Sequence, residues 1–136
     1  MSTVGYSGTP LPRKLGIKPG SRVAWVRAPE HFDALLGELP DGARVKARAA
    51  APVDLVVCFA TRRGQLEREL PRLQRAIRPD GAVWAAWPKR SSGVATDITE
   101  DVIRDVALPM GLVDVKVCAI DETWSGLRLV IRKELR

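Results

Sequence analysis

Residues 53–87 read VDLVVCFATRRGQLERELPRLQRAIRPDGAVWAAW, and this stretch decides the fold. Val53 to Ala60 is the most apolar run in the chain, with no polar–apolar alternation beyond Asp54. A strand reads this way when both of its faces are covered, which makes it the central strand of a sheet. Thr61 then offers a helix cap. Leu66, Leu70, Leu73 and Ile77 recur at helical spacing and form one apolar stripe. Pro71 falls inside that stripe and predicts a kink or a restart. Pro79-Asp80-Gly81 is a turn signal that ends the helix, and Ala82 to Trp87 (AVWAAW) is a second buried strand.

The same alternation extends in both directions. Upstream, Lys18-Pro19-Gly20-Ser21 turns into a strand at Arg22 to Arg27 (RVAWVR). Pro29 is suited to the first position of a helix and Glu30 to its positive end. Phe32, Leu35, Leu36 and Leu39 supply that helix's apolar face, and Pro40-Asp41-Gly42 stops it. Arg44 to Arg48 (RVKAR) alternates weakly, as an edge strand does. Downstream, Asp97 or Thr99 caps a helix whose apolar face is Ile98, Val102, Ile103, Val106 and Met110, and Gly111 ends it. Leu112 to Ile120, a turn at Asp121 to Gly126, and Leu127 to Lys133 form an antiparallel hairpin.

Together these predict a three-layer, Rossmann-like α/β fold: a mostly parallel sheet of about six strands that closes on a C-terminal antiparallel hairpin. One link resists the scheme. Only Ala49 to Pro52 separates residues 44–48 from the next strand, whereas a parallel crossover needs a dozen residues or more. Residues 44–48 are therefore either a very short parallel strand or not parallel. Residues 1–21 read as an irregular N-terminal segment, with a helical turn around Leu11 to Leu15, packed on a single domain over 22–136.

Composition narrows the function classes. Of 136 residues, 46% are apolar and 28% charged, enough for a core without metal or disulfide staples. No apolar run approaches the ~20 residues of a spanning helix, so no membrane role is expected. The opening MSTVGYSG lacks a signal-peptide pattern, and Cys58 and Cys118, the two cysteines, lie in apolar runs as buried thiols. Both features predict a reducing cytoplasm. The net charge is +6, unevenly placed: residues 1–96 carry 16 basic and 8 acidic side chains, residues 97–136 carry 6 and 8. That asymmetry suits an anionic partner, although an arginine-rich surface also serves solubility alone.

Two resemblances follow from particular residues. Leu15-Gly16-Ile17-Lys18-Pro19-Gly20-Ser21-Arg22-Val23 resembles the lead-in to the first strand of class I S-adenosylmethionine-dependent methyltransferases. Leu55 to Ala60 and the segment Ile77 to Trp84 resemble their fourth and fifth strands, and the terminal hairpin their last two. More narrowly, Val4 to Leu11 (VGYSGTPL), Trp87-Pro88-Lys89 and Asp121 to Leu127 (DETWSGL) resemble a bacterial family of small proteins classed only as a domain of unknown function. The first resemblance implies a glycine-rich turn after the first strand and an acidic residue after the second. This chain has Val26-Arg27-Ala28-Pro29-Glu30-His31-Phe32 and Arg48-Ala49-Ala50-Ala51 there. Side chains then fill the space that the cofactor needs, so no cofactor and no catalytic group are expected.

Open α/β sheets bind ligands beyond the carboxyl ends of their strands. In this layout Arg27, Arg62 and Arg63, and Lys89, Arg90, Ser91 and Ser92 converge there as an anion-accepting rim for a small phosphorylated ligand. The leading reading is a non-catalytic ligand-binding or regulatory module. The alternatives are a divergent methyltransferase-like enzyme and a nucleic-acid or protein-interaction module using Arg62, Arg63, Arg68, Arg72, Arg75 and Arg78 on the second long helix. Trp124 in the hairpin turn either folds over the core or meets a partner, including a second copy of the chain, and Trp87 either joins the core or roofs the rim. His31, the one histidine, has no metal-binding partner at a useful spacing, and no metal is expected.

Overall fold

The computed structural model describes residues 8–136, apart from the side chain of Arg78. Its elements run α1 (Leu11–Leu15), β1 (Arg22–Val26), α2 (Phe32–Leu36), β2 (Arg44–Val45), β3 (Val53–Phe59), α3 (Arg63–Ala76), β4 (Ile77–Pro88), α4 (Glu100–Ala107), β5 (Leu112–Ala119) and β6 (Trp124–Ile131). The six strands form one sheet in the order β2-β1-β3-β4-β6-β5. The first four are parallel, and β6 runs antiparallel to both β4 and β5. The central strand and the mixed sheet therefore stand as the sequence predicts.

The awkward link resolves by length. β2 contributes only Arg44 and Val45, paired in parallel with Arg22 and Val23 at the amino end of β1. Val53 starts β3 at that same end, since Val23 pairs with Leu55. Residues 46–52 thus make a lateral step across one strand, roughly two spacings of 4.8 Å, rather than a full return along the sheet. Lys46 secures the step by donating through Nζ to the carbonyls of Ala50 and Pro52 at 2.7 and 2.8 Å.

Several boundaries differ from the sequence expectation. α2 starts at Phe32 rather than Pro29, because Phe32 N donates to the Pro29 carbonyl in a turn and the chain is still leaving β1. It stops at Leu36, ahead of Leu39, where Gly37 takes φ +69°. Thr61 does not cap α3. Gln65 Oε1 accepts from the amides of Thr61 and Arg62, and Asp97 Oδ1 accepts from that of Arg63 at 2.7 Å. Thr99 consequently caps α4, with Oγ1 accepting from Val102 N. α3 runs through Pro71 as one helix. It ends at Ala76, and Ile77 already pairs with Val53. Pro79-Asp80-Gly81 lies in an irregularity of β4 between that pair and Leu55–Ala82. Trp124 opens β6 rather than sitting in the turn, and Ile120 N donates to its carbonyl at 2.8 Å.

Two cores flank the sheet. Cys58, Leu70, Leu73, Val83, Ile103 and Leu129 pack between the sheet and α3 and α4. Leu15, Val23, Phe32, Leu55, Phe59 and Trp84 pack on the opposite face with α1 and α2. Trp84 is fully buried, and its Nε1 donates to the Leu15 carbonyl at 2.8 Å, tying α1 to the sheet. Trp25 is only partly buried and packs against this second core.

Candidate functional site

Because β1, β3 and β4 are parallel, Val26, Phe59 and Pro88 end at one edge of the sheet. Trp124 begins β6 opposite Pro88, which adds the hairpin turn to the same edge. Arg27, Thr61 to Arg63, Lys89 to Ser92 and residues 120–123 are thus neighbours. Hydrogen bonds lace the loops together: Asp97 N to the Thr61 carbonyl, Lys89 N to the Thr123 carbonyl, and the Thr96 side-chain hydroxyl to the Thr61 carbonyl at 2.7 Å.

The seven rim residues differ in how they are occupied. Arg27 pairs with Glu69 at 3.3 Å, and Arg63 with Glu67 at 3.0 Å. Ser92 Oγ donates to the Lys89 carbonyl and accepts from Val94 N, which spends it on its own turn. The side chains of Arg62, Lys89, Arg90 and Ser91 have no hydrogen bond or ion pair among the described residues.

The strand order reverses between β1 and β3, with β2 laid outward from β1 on one side and β3 and β4 on the other, so the crevice at their carboxyl ends is the topological switch point. Here Arg27 takes φ +57°, the one positive φ outside glycine among the described residues. The chain makes the bend that a glycine accepts without strain, but with a side chain and at a cost of about 1–2 kcal/mol. Four aromatic rings fill the space behind it. Trp25 meets Phe32, Phe32 meets Phe59 and Phe59 meets Trp124, each pair edge-on with centroids 5.0 Å apart. Between Arg27, Thr61, Gln65 and Trp124 only about 170 Å³ stays open. Ligand pockets usually offer roughly 300–1,000 Å³.

His31 and Asp121 clamp this plug from outside, with Nε2 and Oδ2 2.8 Å apart. Asp121 Oδ1 also accepts from the amides of Thr123 and Trp124 at 2.8 and 2.7 Å. Partial burial pushes the Asp121 carboxyl up, but His31 and the two amides outweigh it and hold the group below its ordinary value. Sequence reading missed this pair, because residues 31 and 121 meet only through the sheet order.

The larger opening lies one strand over, on the α4 side. A cleft of about 690 Å³ is lined by Trp87, Arg90, Val94, Thr96, Thr99 and Arg104, among others. Arg104 is engaged by Glu100, Asp101 and Asp114 at 2.8, 3.1 and 3.0 Å. Arg90 is therefore the basic group of this cleft without a carboxylate among the described residues. Trp87 belongs to the core on the α3 and α4 side, whereas Trp124 packs on the opposite face. These two tryptophans do not share a surface.

Burial pushes the Cys58 thiol up to about 12 and raises that of Cys118 as well, so both are poor nucleophiles. Among the described residues, no three histidine, cysteine or acidic side chains are grouped to hold a metal ion. No helix among them is long and apolar enough to cross a membrane.

No family model and no curated protein matches this sequence. The narrower likeness carried by Val4 to Leu11, Trp87 to Lys89 and Asp121 to Leu127 thus gains no support, and Val4 to Ser7 lie outside the described residues. Solved structures do match. A Sulfolobus solfataricus protein assigned to the type 11 methyltransferases is 14% identical with a TM-score of 0.64, covering 90% of both chains. A SAM-dependent methyltransferase from Aquifex aeolicus is 13% identical with a TM-score of 0.57, covering 89% of this chain and 88% of its own. TrmN from Thermus thermophilus is 14% identical with a TM-score of 0.55, and the match spans 89% of this chain but only 47% of TrmN. The fold is methyltransferase-like. Identity this low shows the fold alone, and fold does not carry function.

Proposed function

We propose that this chain is a methyltransferase-fold module whose cofactor crevice is closed and whose carboxyl-edge cleft binds a small anionic or phosphorylated ligand. The supporting observation is the contrast between two neighbouring openings. The switch-point crevice is filled by four rings and narrowed by Arg27, whereas the cleft beside it is about four times as large. Arg90 lines that cleft, and Arg62 and Lys89 stand on adjoining loops without carboxylate partners among the described residues. Guanidinium forks there suit phosphate oxygens. No step of covalent chemistry belongs to this reading.

A second reading, a divergent S-adenosylmethionine-dependent methyltransferase-like enzyme, is favoured by the likeness to methyltransferase structures over nine-tenths of the chain. It requires Trp124 and Arg27 to move out of the crevice. Calorimetry separates the two. With inorganic pyrophosphate as probe, the binding module gives a saturable heat that falls at least tenfold in Arg90→Ala and less in Arg62→Ala or Lys89→Ala. S-Adenosylmethionine gives none. Micromolar affinity for S-adenosylmethionine, or pyrophosphate binding indifferent to all three substitutions, overturns the proposal. The nucleic-acid alternative has less support: Arg72 and Arg63 are tied to Glu69 and Glu67, and Arg78 leaves α3 for β4.

A further inference from the structure

At the opposite, amino-terminal edge of the sheet lies a second polar cavity, of about 260 Å³. The turn from α1 into β1 roofs it with Gly16, Lys18 and Ser21, and its floor includes Asp54, Asp80 and Arg128. Arg128 sits in the middle of β6, cross-strand from the fully buried Trp84 on one side and Lys116 on the other. Its side chain crosses the α1 face of the sheet, where Nη2 would lie 3.8 Å from a methyl group placed on Gly16. Its Nε is buried and has no hydrogen-bond partner. The whole guanidinium has no ion-pair partner among the described residues.

Arg128 is half-buried, with Nε its buried unpartnered atom, and a guanidinium does not neutralise itself by losing a proton, so the group stays charged. Buried polar atoms are normally hydrogen-bonded, and the orphaned Nε–H requires an explanation. Asp54, one of the carboxylates lining the cavity, is engaged by Arg22 through its amide, Nε and Nη2 at 2.8, 3.1 and 3.0 Å. Asp80 is exposed at the mouth. Arg128 lines a volume large enough for one carboxylate or phosphate group, and the exposed Lys18 lines it as well. Bidentate recognition of such groups is what the planar fork does best.

We propose that this cavity is an oxyanion site in which Arg128 receives a carboxylate or phosphate group, separate from the carboxyl-edge cleft and independent of it. The test follows the Arg128 Nε–H resonance by NMR while inorganic phosphate and, separately, acetate are titrated into the full chain. A saturable shift with either anion at ~10 mM or below supports the site. Phosphate alone assigns a phosphoryl ligand, acetate alone a carboxylate, and both together a general oxyanion site. Arg128→Met lacks the charge but keeps the apolar stem, and removal of a half-buried cation that has no ion-pair partner among the described residues should leave the fold intact. In that variant, backbone amide shifts of Gly16 and Gly81 should no longer respond, while Arg128→Lys should weaken binding at least tenfold. Arg90→Ala should leave the response unchanged, which keeps this site distinguishable from the first. No saturable shift in the wild type, or an equal response of Gly16 and Gly81 in Arg128→Met, overturns the inference.

Discussion

If Trp124 closes the switch-point crevice, its truncation to alanine has a calculable cost. A tryptophan presents roughly 150–250 Å² of surface, and Trp124 is partly buried, so about 100 Å² of apolar contact is lost. At about 25 cal/mol per Å² that is ~2.5 kcal/mol. The edge-on contact with Phe59 adds ~0.5 kcal/mol, and the total is ~3 kcal/mol. For 136 residues the unfolding entropy near the transition is about 0.3 kcal/mol per kelvin, so Trp124→Ala should lower Tm by ~10 °C. Differential scanning calorimetry measures this directly. Trp124→Phe, which keeps a ring against Phe59, should recover more than half of the loss. A Tm within about 2 °C of wild type for Trp124→Ala would mean that the side chain does not pack as a plug, and the closed-crevice reasoning would fail.

Three further outcomes follow from the geometry. Gly126→Ala places a methyl 3.0 Å from Trp84 Cε3 and 3.3 Å from Ile120 Cδ1, so overpacking should destabilise by ~1–3 kcal/mol in urea unfolding. Asp97→Ala removes the acceptor for the Arg63 amide and should cost ~1 kcal/mol by the same measurement, with α3 amides 63–65 exchanging faster. Asp121 is held below its ordinary value in the fold, so its stabilising effect is complete above that value and fades as pH falls through the folded-state one. The stability gap between wild type and Asp121→Asn should accordingly shrink as pH falls below about 4. A gap that widens over that acid range would refute the account of Asp121.

Sequence alone determined which segments are strands and which helices, because burial writes itself into local pattern. Val53 to Phe59 and Ala82 to Trp87 are covered on both faces and therefore read as unbroken apolar runs. That the loops after β1, β3 and β4 open at one edge was also legible, since parallel strands send every β-to-α loop to the same side. Tertiary structure decided what lies outside local pattern. Which acceptor caps α3 depends on Asp97, 34 positions away from Arg63. Which arginines of the rim carry partners depends on Glu69 meeting Arg27 across 42 positions. The ring chain from Trp25 to Trp124 joins β1, α2, β3 and β6, whose order in the sheet no periodicity encodes. Backbone propensity and amphipathic spacing act over a few residues, whereas pairing of charges and filling of crevices are set by where distant segments are brought together.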